Sequence, residues 1–408
     1  MCAVVLSILE CGAQIRYDDY FTNDRMRLDM VMAGNAKTQS IWLESVNFEK
    51  DWSGTRTNLI SPFDYGEYNY EVFDIKSGKK IFSLGFCTLF SEWRTTEEAT
   101  RLDKAFAHSF RFPWPKAPVR VVFNERQFEN GRMKAIASFD IDPSDLSINR
   151  GISNDFKVTA IQDKGPVDKK VDIVFMADGY TAEEMPKFIS DVKRMTEYLF
   201  SIEPYKSRRE DFNIWAVESI SEDSGPDIPQ DGIWKNTVVN SNFYTFYTDR
   251  YLTAGNQTTV ARLSSNAPCD ALYVIVNTSK YGGGGIYNSY ALCASDSKWN
   301  QEVMIHEFGH SFAGLGDEYF DSEEPYDDNM YNLKVECWEP NITTMVDFDR
   351  KWKDMVGKDG VGIFEGGGYS VKNIFRPRED CKMRTNKIED FCPVCRKAIN
   401  QMIDYYCK

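Results

Sequence analysis

The sequence predicts an α+β fold in two domains, a β-sandwich over 14–150 and then an α/β domain with a mixed sheet over 165–408. Three observations carry this. Residues 25–145 hold short β-branched and aromatic runs at regular spacing, the pattern of a sandwich. From 171 onward, near-continuous apolar strands alternate with helical periodicity, the pattern of an α/β sheet. Between the two, "DPSDLSINRGISND" and "QDKGPVDKK" are polar and carry Pro and Gly, which places a junction near 150–165. At 408 residues and 42% apolar content the chain is long enough for two buried cores.

The elements follow in order. "MCAVVLSILECGA" has the short apolar stretch and small-residue end of a secretory signal, so 1–13 is expected to be a signal peptide and the protein exported. "YNYEVFDIKSGKKIFSLGF" reads as a hairpin turning at Lys76–Lys79, and "PVRVVFNERQF" and "MKAIASFDI" as strands joined by "ENGR". The prolines of "RFPWPKAP" belong in a loop or on a sheet edge, because proline donates nothing to a ladder. "VDIVFMADGY" is a buried strand, after which Thr181 and Glu184 form a capping box for a helix carrying Met185, Phe188, Ile189, Val192 and Leu199. "FNIWAVES" and "ALYVIVNT" are further strands. The run "YGGGG" has no Lys-Ser/Thr after it and opens no helix, so it is not a phosphate loop. It reads as a bend into an edge strand from Ile286 to Leu292, and Ile286, Tyr287 and Asn288 are candidates to pair with an extended substrate.

A formal charge of -14 disfavours nucleic acid and anionic membranes, which need clustered cations. No apolar run approaches the ~20 residues of a membrane span. Removal of 1–13 would take Cys2 and Cys11 and leave eight cysteines, an even number suited to disulfides in an oxidising compartment. Cys269 with Cys293 is the favoured pair. Cys381, Cys392, Cys395 and Cys407 also suggest a four-cysteine zinc site, but their outer spacings match no common module, and disulfides are expected there instead. "CPVC" follows no βαβ pattern and is not a redox motif of the thioredoxin type. The acidic run "DEYFDSEEPYDDN" lacks the order and glycine of an EF-hand, so calcium is unsupported.

The chemistry concentrates in "HEFGHSFAGLGDEYF", His306 to Phe320. A helix capped at Asn300 would bury Ile305, Phe308 and Phe312 and set His306 and His310 together on another face, within reach of one ion. Glu307, about 100° round the helix, can then act on water without binding the ion, which is the arrangement of two ligands and a general base. A catalytic zinc ion takes three protein ligands. The chain has only three histidines, and the remaining one, His108, belongs to the other domain. Gly314 permits the turn that ends the helix, and Asp317 follows it. In metzincins the pattern is His-Glu-x-x-His-x-x-Gly-x-x-His; here Gly314 and Asp317 each come one place later, so the glycine-to-ligand spacing is kept. Asp317 is therefore the expected third ligand. Glu318 is the alternative, with bracing of a histidine as its other role. A carboxylate ligand should make ion-held water less acidic, giving a neutral-to-alkaline activity optimum. Met383 in "CKMRT" is a candidate Met-turn. Tyr319 and Tyr369 are candidates to stabilise an oxyanion or touch substrate.

The stretches "DIVFMADGYTAEEM", "SGPDIP", "HEFGHSFAGLGDEY", "EGGGY", "RPREDCKMR" and "FCPVC" occur in this order. Together they resemble the IgA peptidase-type family of bacterial zinc metallopeptidases, a metzincin-like group, over roughly residues 165–400. The part before them resembles the β-domain that precedes the catalytic domain in many members. The resemblance implies a metzincin-like zinc-peptidase domain with an active-site helix. It also implies one zinc ion on the positions matching His306, His310 and Asp317, and Glu307 as catalyst. The expected function is an exported zinc endopeptidase acting on protein or peptide, with host glycoproteins such as immunoglobulins among the substrates to test. Two alternatives use the same scaffold: a binding or adhesion protein, and an amidase acting on cell-wall peptides. The base and every ligand are present, which favours an enzyme. Oligomeric state is not legible.

Overall fold

The structure is a computed structural model that describes residues 15–152, 156–320, 330–388 and 390–408. The signal-like segment 1–13 and the acidic run beyond Phe320 lie outside the described residues. No described helix is long and apolar enough to cross a membrane.

The N-terminal region is β-rich. A short helix α1 (Tyr17–Tyr20) leads into β1 (Phe21–Gly34), β2 (Gln39–Glu49), β3 (Tyr68–Asp74) and β4 (Lys80–Phe86). Helix α2 (Leu89–Arg94), β5 (Lys104–Pro115), β6 (Val119–Arg126) and β7 (Met133–Ile141) follow. Two antiparallel sheets form, ordered β2-β1-β5 and β4-β3-β6-β7. Their inner faces share one core: Met26, Leu28, Met30 and Met32 of β1, two apart as the pleat requires, cluster with Tyr70, Val72, Val121 and Phe123. Pro113 and Pro115 sit on β5, an edge strand paired only with β1. His108, also on β5, is a core residue stacked on Phe86 with ring centroids 5.7 Å apart; it is not a ligand.

The second region is a mixed-sheet domain with few helices. It runs β8 (Val158–Gln162), β9 (Val171–Asp178), α3 (Met185–Leu199), β10 (Phe212–Val217), the short pair β11 (Ser241–Asn242) and β12 (Thr253–Ala254), and α4 (Gln257–Ser264). After these come β13 (Ala271–Val276), β14 (Gly283–Ile286), β15 (Tyr290–Ala294), α5 (Asn300–Ala313), β16 (Phe364–Gly367), β17 (Ser370–Arg376) and α6 (Pro393–Cys407). The six-stranded sheet is ordered β14-β15-β13-β9-β10-β8, parallel in the middle and antiparallel at both edges. Every residue of β9 and β13 is buried, because helices cover both faces of these central strands.

Several expectations change. The edge strand is the glycine run itself, Gly283–Ile286, and Tyr287 and Asn288 form the turn that follows. A strand from Ile286 to Leu292 would have needed an extended Asn288, but Asn288 is left-handed, with φ 51°. Helix α5 begins at Asn300, with Trp299 at the N-cap position and no side-chain cap; the Asn300 side chain donates back to the Ser295 carbonyl. All eight described cysteines are free thiols, Cys269 and Cys293 included. Cys293 is buried in β15, whereas Cys269 docks its backbone N–H on Ser53 Oγ at the boundary with the β-rich region. The cysteine count therefore lends no support to export.

Candidate active site

Helix α5 lies across the sheet edge formed by β14 and β15, and glycine makes the approach possible. A Cβ on Gly285 would collide with the Glu307 carbonyl oxygen and lie 3.1 Å from His310 Cβ. At Gly283 it would fall 3.1 Å from Glu307 Oε1. The glycine run is therefore a packing surface for the helix, and it seats Glu307 directly against the edge strand.

The helix ends at Gly314, whose φ of 63° only glycine adopts without strain. The chain then doubles back. The Asn341 side-chain amide clamps Gly316 on both sides, accepting from its N–H at 2.7 Å and donating to its carbonyl at 2.9 Å. Beyond Gly316, the segment Asp317–Tyr319 is held from two directions. Gly368 and Tyr369, from the turn between β16 and β17, donate to the carbonyls of Asp317 and Tyr319. On its other side, the Glu318 N–H donates to the Met383 carbonyl at 2.9 Å.

This delivers Asp317 to the histidines. His306 Nε2 and His310 Nε2 are 3.0 Å apart, and Asp317 Oδ1 lies 3.0 Å from the first and 3.2 Å from the second. The other ring nitrogens are engaged: His306 Nδ1 with the Lys382 carbonyl at 3.1 Å, and His310 Nδ1 with the Leu315 carbonyl at 2.6 Å. A carbonyl only accepts, so each Nδ1 carries a hydrogen and each Nε2 is left to offer its lone pair to an ion that displaces any proton held there. Three electron-rich atoms thus converge on one point. A tetrahedron of zinc–nitrogen bonds at ~2.0–2.1 Å has edges of roughly 3.3 Å, close to the observed triangle. The field there also favours a cation. Burial alone would depress His310, but Asp317 outweighs it and lifts the pKa to about 9. Burial opposes ionisation of Asp317 too, yet His310 and His306 hold it well below the usual carboxylate range.

The surrounding side chains act on this triangle. The Tyr369 hydroxyl donates to Asp317 Oδ2, leaving Oδ1 to face the imidazoles, and lies 3.2 Å from the Tyr319 hydroxyl. Tyr369 thus braces a carboxylate, whereas Tyr319 stacks beside His306 with ring centroids 6.2 Å apart. Met383 is fully buried against α5: a Cβ on Gly309, between the two histidines, would come within 2.8 Å of its sulfur. Burial pushes the Glu307 carboxyl up, offset in part by the neighbouring imidazoles. Glu318, the alternative ligand, turns away from the histidines and reaches Cys395 Sγ at 3.3 Å. Asp317 faces the imidazoles and Glu318 the thiols, so only one of the two carboxylates reaches the triangle. Tyr287 and Asn288 are already occupied. The Tyr287 carbonyl accepts from the Cys87 N–H and its ring packs on Trp338, while the Asn288 side chain donates to the Gly85 carbonyl.

A cleft of about 370 Å³ opens over the triangle, lined by Gly283–Tyr287, Glu307, Asp317, Tyr319 and Tyr369. It also takes Glu67, Cys87 and Glu92 from the β-rich region, together with Arg250 and Arg384. Burial lifts Glu92 to about 8, although the Tyr251 hydroxyl donates to it. The sequence carried no sign of these contributors. "CTLFSEW" shows a capped helix, and nothing local says which cleft that helix faces.

Two imidazoles one helical turn apart, a carboxylate closing the triangle and a glutamate beside them form the donor set of the metal-dependent hydrolases. The chain belongs to the IgA peptidase M64 family: that family's sequence profile matches residues 159–361 and 358–403, and the profile of the Peptidase M64 N-terminus matches 16–137. It is therefore a peptidase, a hydrolase of the metallo type whose substrate is protein. A search of curated proteins returns no match.

Proposed function

We propose that the protein is a zinc-dependent endopeptidase in which His306, His310 and Asp317 hold one zinc ion and Glu307 is the general base. The observation that carries this reading is the convergence of three lone-pair atoms at 3.0–3.2 Å, with both imidazole tautomers set by backbone carbonyls. A bound zinc ion supplies Lewis acidity to the scissile carbonyl and to the attacking water. Glu307 takes the proton from that water and passes it to the leaving amine, and its position against β14 keeps it beside the path of the peptide. Tyr251 already bridges to Gly283, whose carbonyl accepts from the Leu252 N–H, so an extended substrate would pair beside Gly285 and Ile286, further along the strand. Tyr319 is the better placed tyrosine to donate to the developing oxyanion, because Tyr369 is committed to Asp317. Glu67 and Glu92 of the β-rich region line the cleft together with Arg250 of the second, so substrate choice is set jointly by the two regions.

The test is incubation of the purified chain, beside Glu307→Gln, with a diverse peptide library, cell-wall peptides and intact immunoglobulins. Cleavage by the wild type alone, with zinc retained in both proteins, is the expected result. A Glu307→Gln chain that has lost its zinc would show that the roles are misassigned. A zinc-loaded wild type that cleaves nothing would favour a binding protein on this scaffold, and cleavage confined to the cell-wall peptides would favour the amidase.

A further inference from the structure

A second cluster of metal-binding side chains lies behind the first, on the far side of the Asp317–Tyr319 segment. Cys381, Cys392 and Cys395 are buried at 0–1% exposure, and with Glu318, at 0%, their ligand atoms lie within 4.8 Å of one another. We propose that these four residues hold a structural zinc ion, separate from the histidine site, that ties the Asp317 loop to the Met383 turn and to the start of α6.

The geometry favours an ion over a disulfide. Cys381 Sγ and Cys395 Sγ are 3.8 Å apart, and Cys395 Sγ is 3.3 Å from Glu318 Oε1. A disulfide brings its sulfurs to about 2.05 Å. Tetrahedral zinc with ~2.3 Å bonds to sulfur and ~2.0 Å to oxygen has edges of roughly 3.8 Å between sulfurs and 3.5 Å between sulfur and oxygen. Backbone N–H groups also point at two of the sulfurs. The Cys392 N–H donates to Cys381 Sγ at 3.2 Å and the Cys395 N–H to Cys392 Sγ at 3.4 Å, and both bonds favour thiolates. Cys392 is the N-cap of the 15-residue α6, whose dipole adds positive potential at the sulfurs. Glu318 Oε1 accepts from Asn341 Nδ2 at 2.9 Å, whereas its buried Oε2 has no partner among the described residues. A cation bound there would satisfy the open oxygen and let the buried carboxyl ionise. Sulfur-rich tetrahedral donors select zinc among the abundant divalent ions. Cys407, at the other end of α6, contacts the Asp211 carbonyl instead and takes no part.

The position gives the ion a purpose. Asp317 and Glu318 are adjacent, so one segment would reach the histidine site from one face and the cysteine site from the other. Cys381 lies one residue before Lys382, whose carbonyl orients His306, and two before Met383. The ion would thus hold both the third donor and the orienting carbonyl in place.

The experiment uses the full chain purified with zinc, measured by elemental mass spectrometry, by zinc-edge X-ray absorption and by thiol titration after denaturation. Wild type should carry two zinc ions and titrate every cysteine as thiol. A His306→Ala/His310→Ala chain should keep one ion with predominantly sulfur neighbours, and Cys392→Ser/Cys395→Ser should lose that ion and hold the other more weakly. If the serine variant does not fold, the histidine double variant, which leaves the cysteine cluster intact, decides the matter. No ion in that chain, or a thiol count two short, overturns the proposal. A wild type holding a single sulfur-ligated zinc would uphold it while overturning the histidine site, and a single zinc with only nitrogen and oxygen neighbours would do the reverse.

Discussion

At the scale of residues, the structure separates groups that touch the reacting centre from groups that set it up. Glu307→Gln should lower kcat by about 10²- to 10⁴-fold at unchanged zinc content, the range for a lost general base; stopped-time peptide assays with metal analysis check both halves. Tyr369 donates to the oxygen of Asp317 that faces away from the imidazoles. Tyr369→Phe should therefore weaken zinc by about 10- to 100-fold, as loss of a hydrogen bond behind a ligand typically does, read by competition with a chelator. His108 gives a pH signature of its own. Burial among Phe86 and Phe110 lowers its pKa from 6.5 to about 4. Between those values the unfolded chain binds a proton that the folded chain refuses. Its contribution is thus complete above pH 6.5 and is lost as pH falls toward 4, by about 3 kcal/mol in all at 1.36 kcal/mol per unit. Denaturant midpoints of wild type should fall relative to those of His108→Phe as pH is lowered across that window; parallel curves would remove the assignment.

At the scale of elements, the decisive contact is α5 on β14. Its closeness follows from the absence of side chains at Gly283 and Gly285, and it is what puts Glu307 and His310 beside the edge strand. Gly285→Ala drives a methyl group into the Glu307 carbonyl, a backbone atom that cannot step aside. We expect a stability loss of about 1–3 kcal/mol, as for overpacking generally, together with a fall in activity larger than that of Gly284→Ala. Gly284 faces the other way, toward the Leu252 carbonyl and the Tyr251 ring, so both variants crowd the strand but only one displaces the helix. Circular-dichroism melts and peptide turnover on the pair separate the two effects. The motif was legible here because helical spacing alone puts His306 and His310 on one face. The glycine run was misread as a bend because sequence does not show what a glycine must lie against.

At the scale of the whole molecule, the two regions are joined by buried charge as well as by backbone hydrogen bonds. Arg25, Arg27 and Arg111 surround Glu49 at 2.5–3.0 Å, and Arg25 and Arg111 also donate to carbonyls at the end of α4 and just beyond. Burial would raise Glu49, but Arg111 and Arg25 outweigh it and hold the pKa at about 2. Glu49→Ala leaves three guanidiniums without their shared counter-charge, and should cost about 3–5 kcal/mol. Because the same arginines bridge to the second region, the loss should appear in a single unfolding transition monitored by the tryptophans of both regions. Two separated transitions in the wild type would mean that the regions fold independently. Glu67 and Glu92 reach the cleft across this same boundary, so the β-rich region shapes the site as well as supporting it.

What the sequence determined by itself is local: the β-rich first half and the alternating second half, the helix bearing His306, Glu307 and His310, the turn at Gly314 and the place of Asp317 just beyond it. These follow from periodicity and from residues within one turn or one loop of each other. Only the tertiary structure decided the rest, because it depends on chain segments far apart in sequence meeting in space. Met383 lies under Gly309, and Tyr369 behind Asp317. Glu92 reaches the cleft from the other region, and Glu318 turns to the cysteines that the sequence had assigned to disulfides. The alternation of Asp317 and Glu318 becomes informative only when a different partner is seen waiting on each side.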